Sequence, residues 1–364
     1  MIVFLVVIYT FAIPTATNAS SHGSRRVMKI IKSIIQSVKL RWAVMMCLLV
    51  LATCAQAWAI TAPDNPAIYS AALDDPSFPK DTVDAELSAL SAEAWLMIDA
   101  ETGTVLSSKN PDKRMYPASM TKMMTCILAC ESGRLSEVVT ISAKAAAVEG
   151  ARVRCGEKYV LRDLLYRAML PSDNGSAHAI GEFLAAPDSV PFADLMNKKA
   201  RELGMKNTHF VNAHGLPNEN HYTTAIDMMK LQRYCMENKD FAEIVSTPSR
   251  DITTTAGKKI HLKSTNRLFD RYDGCIGVKT GTTRAAGGCL ASAVLRNGVK
   301  IYLVLFKCTP ARQRTDESIV LYDKGFEMMK TIAAKKKKQR ERRGKVPRPK
   351  RNVYEHHEVP APRK

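Results

Sequence analysis

Three short polar motifs occur in order along the sequence, and together they have the side chains that acyl transfer to a serine requires. The motifs are Ser119-Met120-Thr121-Lys122, Ser172-Asp173-Asn174 and Lys279-Thr280-Gly281. They supply a nucleophilic hydroxyl, an amine that can deprotonate it, a second hydroxyl that can pass protons, and a strand edge that can hold a carboxylated substrate. This chemistry requires neither a metal nor a cofactor, and we expect none.

In the first motif the candidate nucleophile, Ser119, and its candidate base, Lys122, are three residues apart. Residues at this spacing share one face of a helix, so the hydroxyl and the amine can meet across one turn. The amine must be neutral to accept a proton, and moving its pKa from about 10.4 to near 7 corresponds to roughly 4–5 kcal/mol. Burial and nearby positive charge can cause such a shift. Taken alone, the motif also fits an N-cap serine followed by a surface lysine, and Ser77-Phe78-Pro79-Lys80 matches it in a proline-rich segment.

The second motif lies between two helical patterns, directly after Pro171. Ser172 can relay a proton to the leaving group, and Asn174 can donate to the substrate amide or contact the lysine base. A helix cap after proline is the alternative reading. Ser264-Thr265-Asn266 has the same pattern, but it falls in a region of predicted strands, so we assign the role to Ser172.

The third motif lies on a predicted strand. Lys279 would bring positive charge to the site, and the Thr280 and Thr282 hydroxyls can bind a substrate carboxylate. Gly281 allows a ligand backbone to approach closely. The backbone N–H groups of Thr282 and Ser119 are candidate donors to an oxyanion. A strand that simply ends in a turn is the alternative reading.

The hydrophobic pattern predicts the elements that position these motifs. Residues 119–130 form an apolar pattern typical of a buried helix, and residues 159–238 are mostly helical in pattern. Strands are predicted at 93–99 and 104–108, around a turn at 101–103, and at 252–255, 259–262, 275–279, 289–295 and 300–306. A final helix is predicted from about 314 to 334. This order predicts an α+β fold, with a mainly antiparallel sheet built from N- and C-terminal segments and an inserted helical subdomain.

Charge is distributed unevenly along the 364 residues, which have a net charge of +18. Residues 1–59 contain six Lys/Arg and no acidic residue, and residues 335–364 contain thirteen Lys/Arg and three acidic residues. The remaining segment has 34 basic and 32 acidic residues, so its net charge is only +2. A folded nucleic-acid-binding face is therefore not expected.

Both flanks have the composition of segments outside the folded domain. Residues 1–59 resemble an export leader, with Met28 as a candidate translation start and a small-residue cleavage region near Ala57. A pair of membrane anchors or a lipid-modified Cys54 are the alternatives. Residues 60–91 are predicted to form a linker, 92–334 the catalytic domain, and 335–364 a disordered basic tail. The tail is either simply solvated or attracted to anionic lipid or wall polymer.

The chain resembles the low-molecular-mass penicillin-binding proteins, which are serine-type D-alanyl-D-alanine carboxypeptidases with a transpeptidase-like, β-lactamase-like fold. The resemblance covers roughly residues 85–330 and includes the three motifs, the Tyr-Pro-Ala before Ser119, the segment 212–217 and the segment 221–225. It implies an exported enzyme of the cell envelope that removes the terminal D-alanine of peptidoglycan stem peptides through an acyl-enzyme. It also implies that β-lactams acylate the serine.

Two residues need separate comment. Asp173 stands where many such carboxypeptidases have glycine, and in this respect the second motif is similar to that of the class A β-lactamases. The Glu-x-x-Leu-Asn segment of those enzymes does not occur in this sequence. Arg314 precedes the final helix, where the resemblance implies an arginine near the substrate carboxylate. His214 and His221 are expected to be structural loop residues and not metal ligands or a Ser-His pair.

Three functional hypotheses follow from these observations. The first is a serine D-alanyl-D-alanine carboxypeptidase in which Ser119 attacks, Lys122 is the base and Ser172 relays a proton to D-alanine. The second is a β-lactamase or D,D-endopeptidase on the same fold. The third is a non-catalytic envelope-binding protein, which the intact motifs disfavour.

Overall fold

The computed structural model describes residues 85–186 and 191–344. The strands within these ranges, in chain order, are β1 (Ala94–Asp99), β2 (Val105–Lys109), β3 (Val138–Thr140), β4 (Lys158–Val160), β5 (Ser249–Thr253), β6 (Lys259–Lys263), β7 (Cys275–Thr283), β8 (Gly287–Arg296) and β9 (Val299–Cys308). The main sheet has the order β2-β1-β9-β8-β7, and every neighbouring pair in it is antiparallel. The pairing of β1 with β9 joins the N-terminal and C-terminal segments, as the sequence predicted.

Among the described residues, eight α-helices lie between β2 and β7, one precedes β1 and one follows β9. They are α1 (Ala85–Ser88), α2 (Lys122–Glu131), α3 (Ala143–Ala147), α4 (Leu161–Met169), α5 (Asn174–Ala185), α6 (Phe192–Glu202), α7 (Ala225–Glu237), α8 (Lys239–Val245), α9 (Leu268–Arg271) and α10 (Gln313–Gly344). The predicted α+β fold with an inserted helical subdomain is therefore confirmed. The small hairpin β3-β4, which no pattern indicated, lies within that insert.

Both faces of the main sheet are buried, and the side chains of each strand alternate between them. On β1, Leu96 and Ile98 belong to the large core shared with the helical insert, whereas Trp95 and Met97 belong to the core on the opposite face. Tyr322 of α10 packs in that second core. This alternation follows from the two-residue period of a strand, and it explains why β1 is apolar along its whole length.

The turn between β8 and β9 lies where the sequence predicted it. Asn297 and Gly298 both have positive φ angles, of 50° and 77°. Two successive left-handed residues form the type of turn whose twist matches that of a two-residue β-hairpin, and the Asn-Gly pair is the preferred sequence for it. The local sequence therefore fixes the register of the two longest strands.

Helix α10 continues to Gly344, ten residues beyond the predicted end at 334. The prediction that the chain becomes disordered at residue 335 is therefore wrong for residues 335–344. Apart from the terminal Gly344, the added residues are Lys, Gln, Arg and Glu, which have good helix propensity, and the next proline is Pro347. Residues 345–364 of the predicted tail lie outside the described residues. So do the predicted leader and residues 60–84 of the predicted linker, whereas α1 occupies part of the rest of that linker.

Across 85–186 and 191–344, no helix is both long enough and apolar enough to cross a lipid bilayer.

A buried carboxylate fastens the start of the domain to α10. Glu317 accepts hydrogen bonds from the backbone N–H groups of Ser91 and Ala92, both at 2.9 Å, and from the Ser91 hydroxyl. The Glu317 side chain is almost fully buried, so these donors have replaced water around the carboxylate. This contact connects segments more than 220 residues apart in sequence.

We predict that Glu317→Gln lowers the free energy of unfolding by about 1–3 kcal/mol, because the amide leaves one buried donor without an acceptor. Asp316→Asn is the matched control, because Asp316 forms an exposed ion pair with Arg271 and its loss should change stability by less than about 1 kcal/mol. Urea denaturation of both variants measures the difference, and equal midpoints would contradict the prediction.

Candidate active site

The first motif forms a 3-10 turn, Ala118–Thr121, that continues directly into α2. The sequence predicted a single helix beginning at Ser119, but the chain is wound more tightly there before the α-helix starts at Lys122. The Lys122 Nζ lies 2.8 Å from the Ser119 Oγ. The Ser119 side chain is half-buried, whereas Lys122 is completely buried. A ligand can therefore reach the hydroxyl while the amine stays shielded from water.

Two further oxygen atoms surround the Lys122 amine. It donates to Asn174 Oδ1 at 2.7 Å and to the backbone carbonyl of His214 at 2.8 Å. A neutral amine has two N–H groups and one lone pair. The two carbonyl oxygens can take both N–H groups, so the lone pair is left to face the Ser119 hydroxyl proton.

Burial lowers the pKa of Lys122 to about 7, and attraction to the Asp173 carboxylate partly opposes this shift. The ammonium form is disfavoured because neither neutral carbonyl partner compensates for the lost hydration of a full charge. A large fraction of the amine is therefore unprotonated near neutral pH. This is the protonation state that a general base requires.

The second motif places Ser172 opposite the lysine of the third. The Lys279 Nζ donates to Ser172 Oγ at 2.9 Å and to the Thr280 carbonyl at 3.1 Å. Ser172 has a φ of 63°, a left-handed conformation that a non-glycine residue adopts only when its surroundings impose it. Burial, with repulsion from Lys122 and Arg314, holds the pKa of Lys279 well below its ordinary value.

Gly281 on the edge strand β7 lies against the turn that carries the nucleophile. A Cβ atom added to Gly281 would lie 3.0 Å from the Pro117 carbonyl oxygen and 3.1 Å from the Ala118 Cβ. A side chain here would require these neighbours to shift by a few tenths of an ångström, so glycine favours the close approach of β7 to the turn that carries Ser119. On the other side, Arg314 of α10 donates to the Gly281 carbonyl at 3.1 Å and to the Thr282 hydroxyl. Arg314 thus lies beside the third motif.

The Asp173 carboxylate contacts backbone N–H groups and an arginine, and none of its described contacts is with the side chains of Ser119, Lys122 or Lys279. Its carboxylate caps the N-terminus of α5 by accepting from the backbone N–H groups of Gly175 and Ser176, at 2.9 and 3.3 Å. It also accepts from the Arg152 N–H at 3.1 Å and pairs with the Arg167 guanidinium at 2.8 Å. With these donors around a fully buried carboxylate, Asp173 holds the helix that presents Asn174.

The contacts of His214 and His221 fit the structural roles that were expected for them. The hydrogen bond that the His214 backbone carbonyl accepts from the Lys122 amine was not predicted. His221 accepts from the Val211 N–H through Nδ1, so its Nε2 carries the proton and donates to the Thr121 hydroxyl at 2.8 Å. Burial lowers the pKa of His221 to about 4, which keeps the ring neutral. His214 accepts from the Leu216 N–H through Nδ1, and burial likewise lowers its pKa, to about 3.

Sequence reasoning also missed Thr265, which lies within the Ser264-Thr265-Asn266 segment that was set aside. The Thr265 Oγ1 is 2.6 Å from the Thr280 Oγ1. The pattern had been judged by its serine, whereas it is the threonine that contacts the third motif. The structure therefore brings together all nine predicted site residues, which are Ser119, Lys122, Ser172, Asn174, Lys279, Thr280, Gly281, Thr282 and Arg314, and adds Thr265 beside them.

The chain is similar to known proteins in sequence and in structure. A family model described as D-alanyl-D-alanine carboxypeptidase matches residues 80–309. The D-alanyl-D-alanine carboxypeptidase DacF of Bacillus subtilis is 32% identical over 274 residues, which cover 73% of this chain and 70% of that protein. A D-alanyl-D-alanine endopeptidase of Pseudomonas aeruginosa is 32% identical over 222 residues, which cover 59% of this chain and 71% of that protein.

A solved structure gives the same result. The crystal structure of the Streptomyces K15 DD-transpeptidase superimposes with a TM-score of 0.62 at 30% sequence identity, covering 66% of this chain and 98% of that one. The match of the family model to well over half of the chain agrees with this similarity. The chain therefore belongs to the D-alanyl-D-alanine carboxypeptidase family of serine peptidases.

Proposed function

We propose that this protein removes the terminal D-alanine from peptidoglycan stem peptides through an acyl-enzyme on Ser119. The observation that supports the proposal most directly is the 2.8 Å contact between Ser119 Oγ and a fully buried Lys122 amine whose pKa is lowered to about 7. A hydroxyl beside a neutral amine in a water-poor site is an activated nucleophile. The membership of the chain in the carboxypeptidase family gives the substrate class.

In the proposed acylation step, Ser119 Oγ attacks the carbonyl carbon of the penultimate D-alanine while Lys122 takes the hydroxyl proton. Collapse of the tetrahedral intermediate breaks the peptide bond, and the departing amine receives a proton through Ser172, whose hydroxyl contacts Lys279. Water then attacks the ester, which releases the shortened peptide and restores the Ser119 hydroxyl. The backbone N–H groups of Ser119 and Thr282 are the proposed oxyanion donors.

In the proposed complex, the terminal carboxylate of the peptide lies near β7. Lys279 and Arg314 supply positive charge there, and the Thr280 and Thr282 hydroxyls supply donors. Gly281 leaves room for the peptide backbone, and Asn174 orients both the substrate amide and Lys122. A β-lactam carries a carboxylate at an equivalent distance from its reactive carbonyl, so it would occupy the same groups and acylate Ser119.

We also propose that residues 1–59 direct export, that the residues between them and α1 link them to the catalytic domain, and that the enzyme acts in the cell envelope. The supporting features are the basic and apolar composition of the leader and a substrate class that is found outside the cytoplasm. The basic segment beyond 334 is proposed to contact anionic lipid or wall polymer.

Replacing the nucleophile should abolish covalent labelling. We predict that Ser119→Ala loses all labelling by a fluorescent penicillin and releases D-alanine from a pentapeptide at least 1,000-fold more slowly, on the order of the effect of removing a catalytic nucleophile. Ser77→Ala is the matched control, because Ser77 begins the other Ser-x-x-Lys sequence in the chain and should keep full labelling. Labelling of Ser119→Ala at the wild-type level would refute the assignment.

The assay of D-alanine release also separates a carboxypeptidase from an endopeptidase. The endopeptidase is the second candidate function, because one relative, from Pseudomonas aeruginosa, has that name. We expect the wild-type enzyme to release D-alanine from a monomeric pentapeptide. Cleavage of a cross-linked peptide dimer without release from the pentapeptide would select the endopeptidase. Rapid turnover of a chromogenic cephalosporin would select a β-lactamase.

The acylation rate should rise with pH through about 7. Lys122 is protonated below its lowered pKa and then cannot accept the Ser119 proton, so the rate should fall about tenfold for each pH unit below 6. The charged group that acts on Lys122 is Asp173, which raises its pKa against the effect of burial, and Lys122 in turn lowers the pKa of Lys279 and of His214. Stopped-flow acylation by a penicillin between pH 5 and 9 measures the profile, and a flat rate from pH 5 to 8 would exclude Lys122 as the base.

The basic end of α10 should bind anionic surfaces. Four consecutive exposed lysines lie there, and each can contribute up to about 1 kcal/mol near an anionic bilayer. Replacing Lys335, Lys336, Lys337 and Lys338 by glutamine should weaken binding to phosphatidylglycerol vesicles at least tenfold at low salt, without changing D-alanine release. The control replaces Lys258, Lys259 and Lys263 of the β5-β6 hairpin, and an equal loss in both variants would contradict a specific role for α10.

A further inference from the structure

The segment 264–266 connects the two halves of the active site. The Thr265 N–H donates to the Leu170 carbonyl at 3.0 Å, two residues before Ser172 on the helical side. The Asn266 side-chain amide donates to the Gly277 carbonyl at 3.0 Å, two residues before Lys279 on the sheet side. One short loop thus holds the second and third motifs at a fixed separation.

The hydroxyl of Thr265 is placed between these two halves. Its Oγ1 lies 2.6 Å from the Thr280 Oγ1 and 3.4 Å from the Leu170 carbonyl oxygen. Thr265 is exposed, whereas Thr280 is only 5% exposed. The Thr280 hydroxyl therefore depends on Thr265 for a hydrogen-bond partner, and Thr265 itself remains accessible.

Each hydroxyl has one proton, so two hydrogen-bond arrangements are compatible with these positions. In the first, Thr280 donates to Thr265, and Thr265 donates to the Leu170 carbonyl. In the second, Thr265 donates to Thr280, and the Thr280 proton is free for an acceptor on the ligand side. The two arrangements differ only by rotation of two O–H bonds, with no movement of heavier atoms.

We propose that Thr265 is a positioning residue that acts on the substrate carboxylate through Thr280. In the free enzyme the Thr265 hydroxyl accepts a hydrogen bond from Thr280, and when a carboxylate is bound it donates one to Thr280. The inference rests on the proposed function, because it requires Thr280 to bind the terminal carboxylate. In the bound arrangement, donation from Thr265 polarises the Thr280 hydroxyl and strengthens the bond that Thr280 makes to the anion. Thr265 also holds the Thr280 side chain in one rotamer.

The test compares one β-lactam with and without its carboxylate. We expect Thr265→Ala to slow acylation by benzylpenicillin about tenfold, while acylation by the penicillin methyl ester changes less than about twofold. Thr265→Ser retains the hydroxyl and should restore the wild-type rate with benzylpenicillin. Thr255→Ala is the matched control. The one contact described for the Thr255 hydroxyl is with the Lys158 carbonyl, at 3.3 Å, so its loss should leave both rates unchanged.

The possible results are distinguishable. An unchanged rate of Thr265→Ala with benzylpenicillin, or an equal loss with the acid and the ester, would overturn the role of Thr265 while leaving the proposed function intact. Failure of Thr265→Ser to restore the rate would overturn it as well. Absence of acylation in the wild-type enzyme would overturn the proposed function and this inference together. With D-Ala-D-Ala peptides, the same variant should raise KM and leave kcat within about twofold.

Discussion

The active site depends on keeping one lysine amine away from water without giving it an anionic partner at contact distance. Lys122 is enclosed by a serine hydroxyl, an amide oxygen and a backbone carbonyl, all within 2.8 Å. These acceptors satisfy the N–H groups of an amine but do not neutralise an ammonium. A carboxylate at the same distance would stabilise the charged form and remove the base, because a nearby anion raises the pKa of a lysine.

The fold meets the requirement by bringing three separate segments to the Lys122 amine. The 3-10 turn provides Ser119, the start of α5 provides Asn174, and the loop before α7 provides the His214 carbonyl. The sheet then adds Lys279 on the opposite side, close enough that repulsion between the two amines helps to lower the pKa of Lys279. Lys122 thus makes the charged form of Lys279 less favourable. The antiparallel sheet matters here because it holds β7 against the turn of the nucleophile.

Much of this organisation can be predicted from the sequence, because it depends on local patterns. The Asn297-Gly298 turn, the apolar α2 and the three polar motifs each have a physical signal within a few residues. The structure departs from prediction where the deciding contact is distant in sequence. Thr265 was set aside with its segment because that segment falls in a region of predicted strands, and nothing local indicates that it contacts Thr280 of β7. The end of α10 was placed too early because the low apolar content of the tail was taken as a sign of disorder, although most of its first residues favour a helix.

Asp173 illustrates how a change within a motif can alter the site without touching the substrate. The sequence left open whether this carboxylate affects the choice of substrate, because glycine is common at its position in the family that the chain resembles. Its oxygen atoms are occupied by three backbone N–H groups and by Arg167, which compensates for most of the cost of burying a charge. What remains is an electrostatic effect through space, which raises the pKa of Lys122 against the effect of burial. Asp173 therefore reduces the neutral fraction of the base, and in the proposed function the groups on β7 bind the substrate carboxylate.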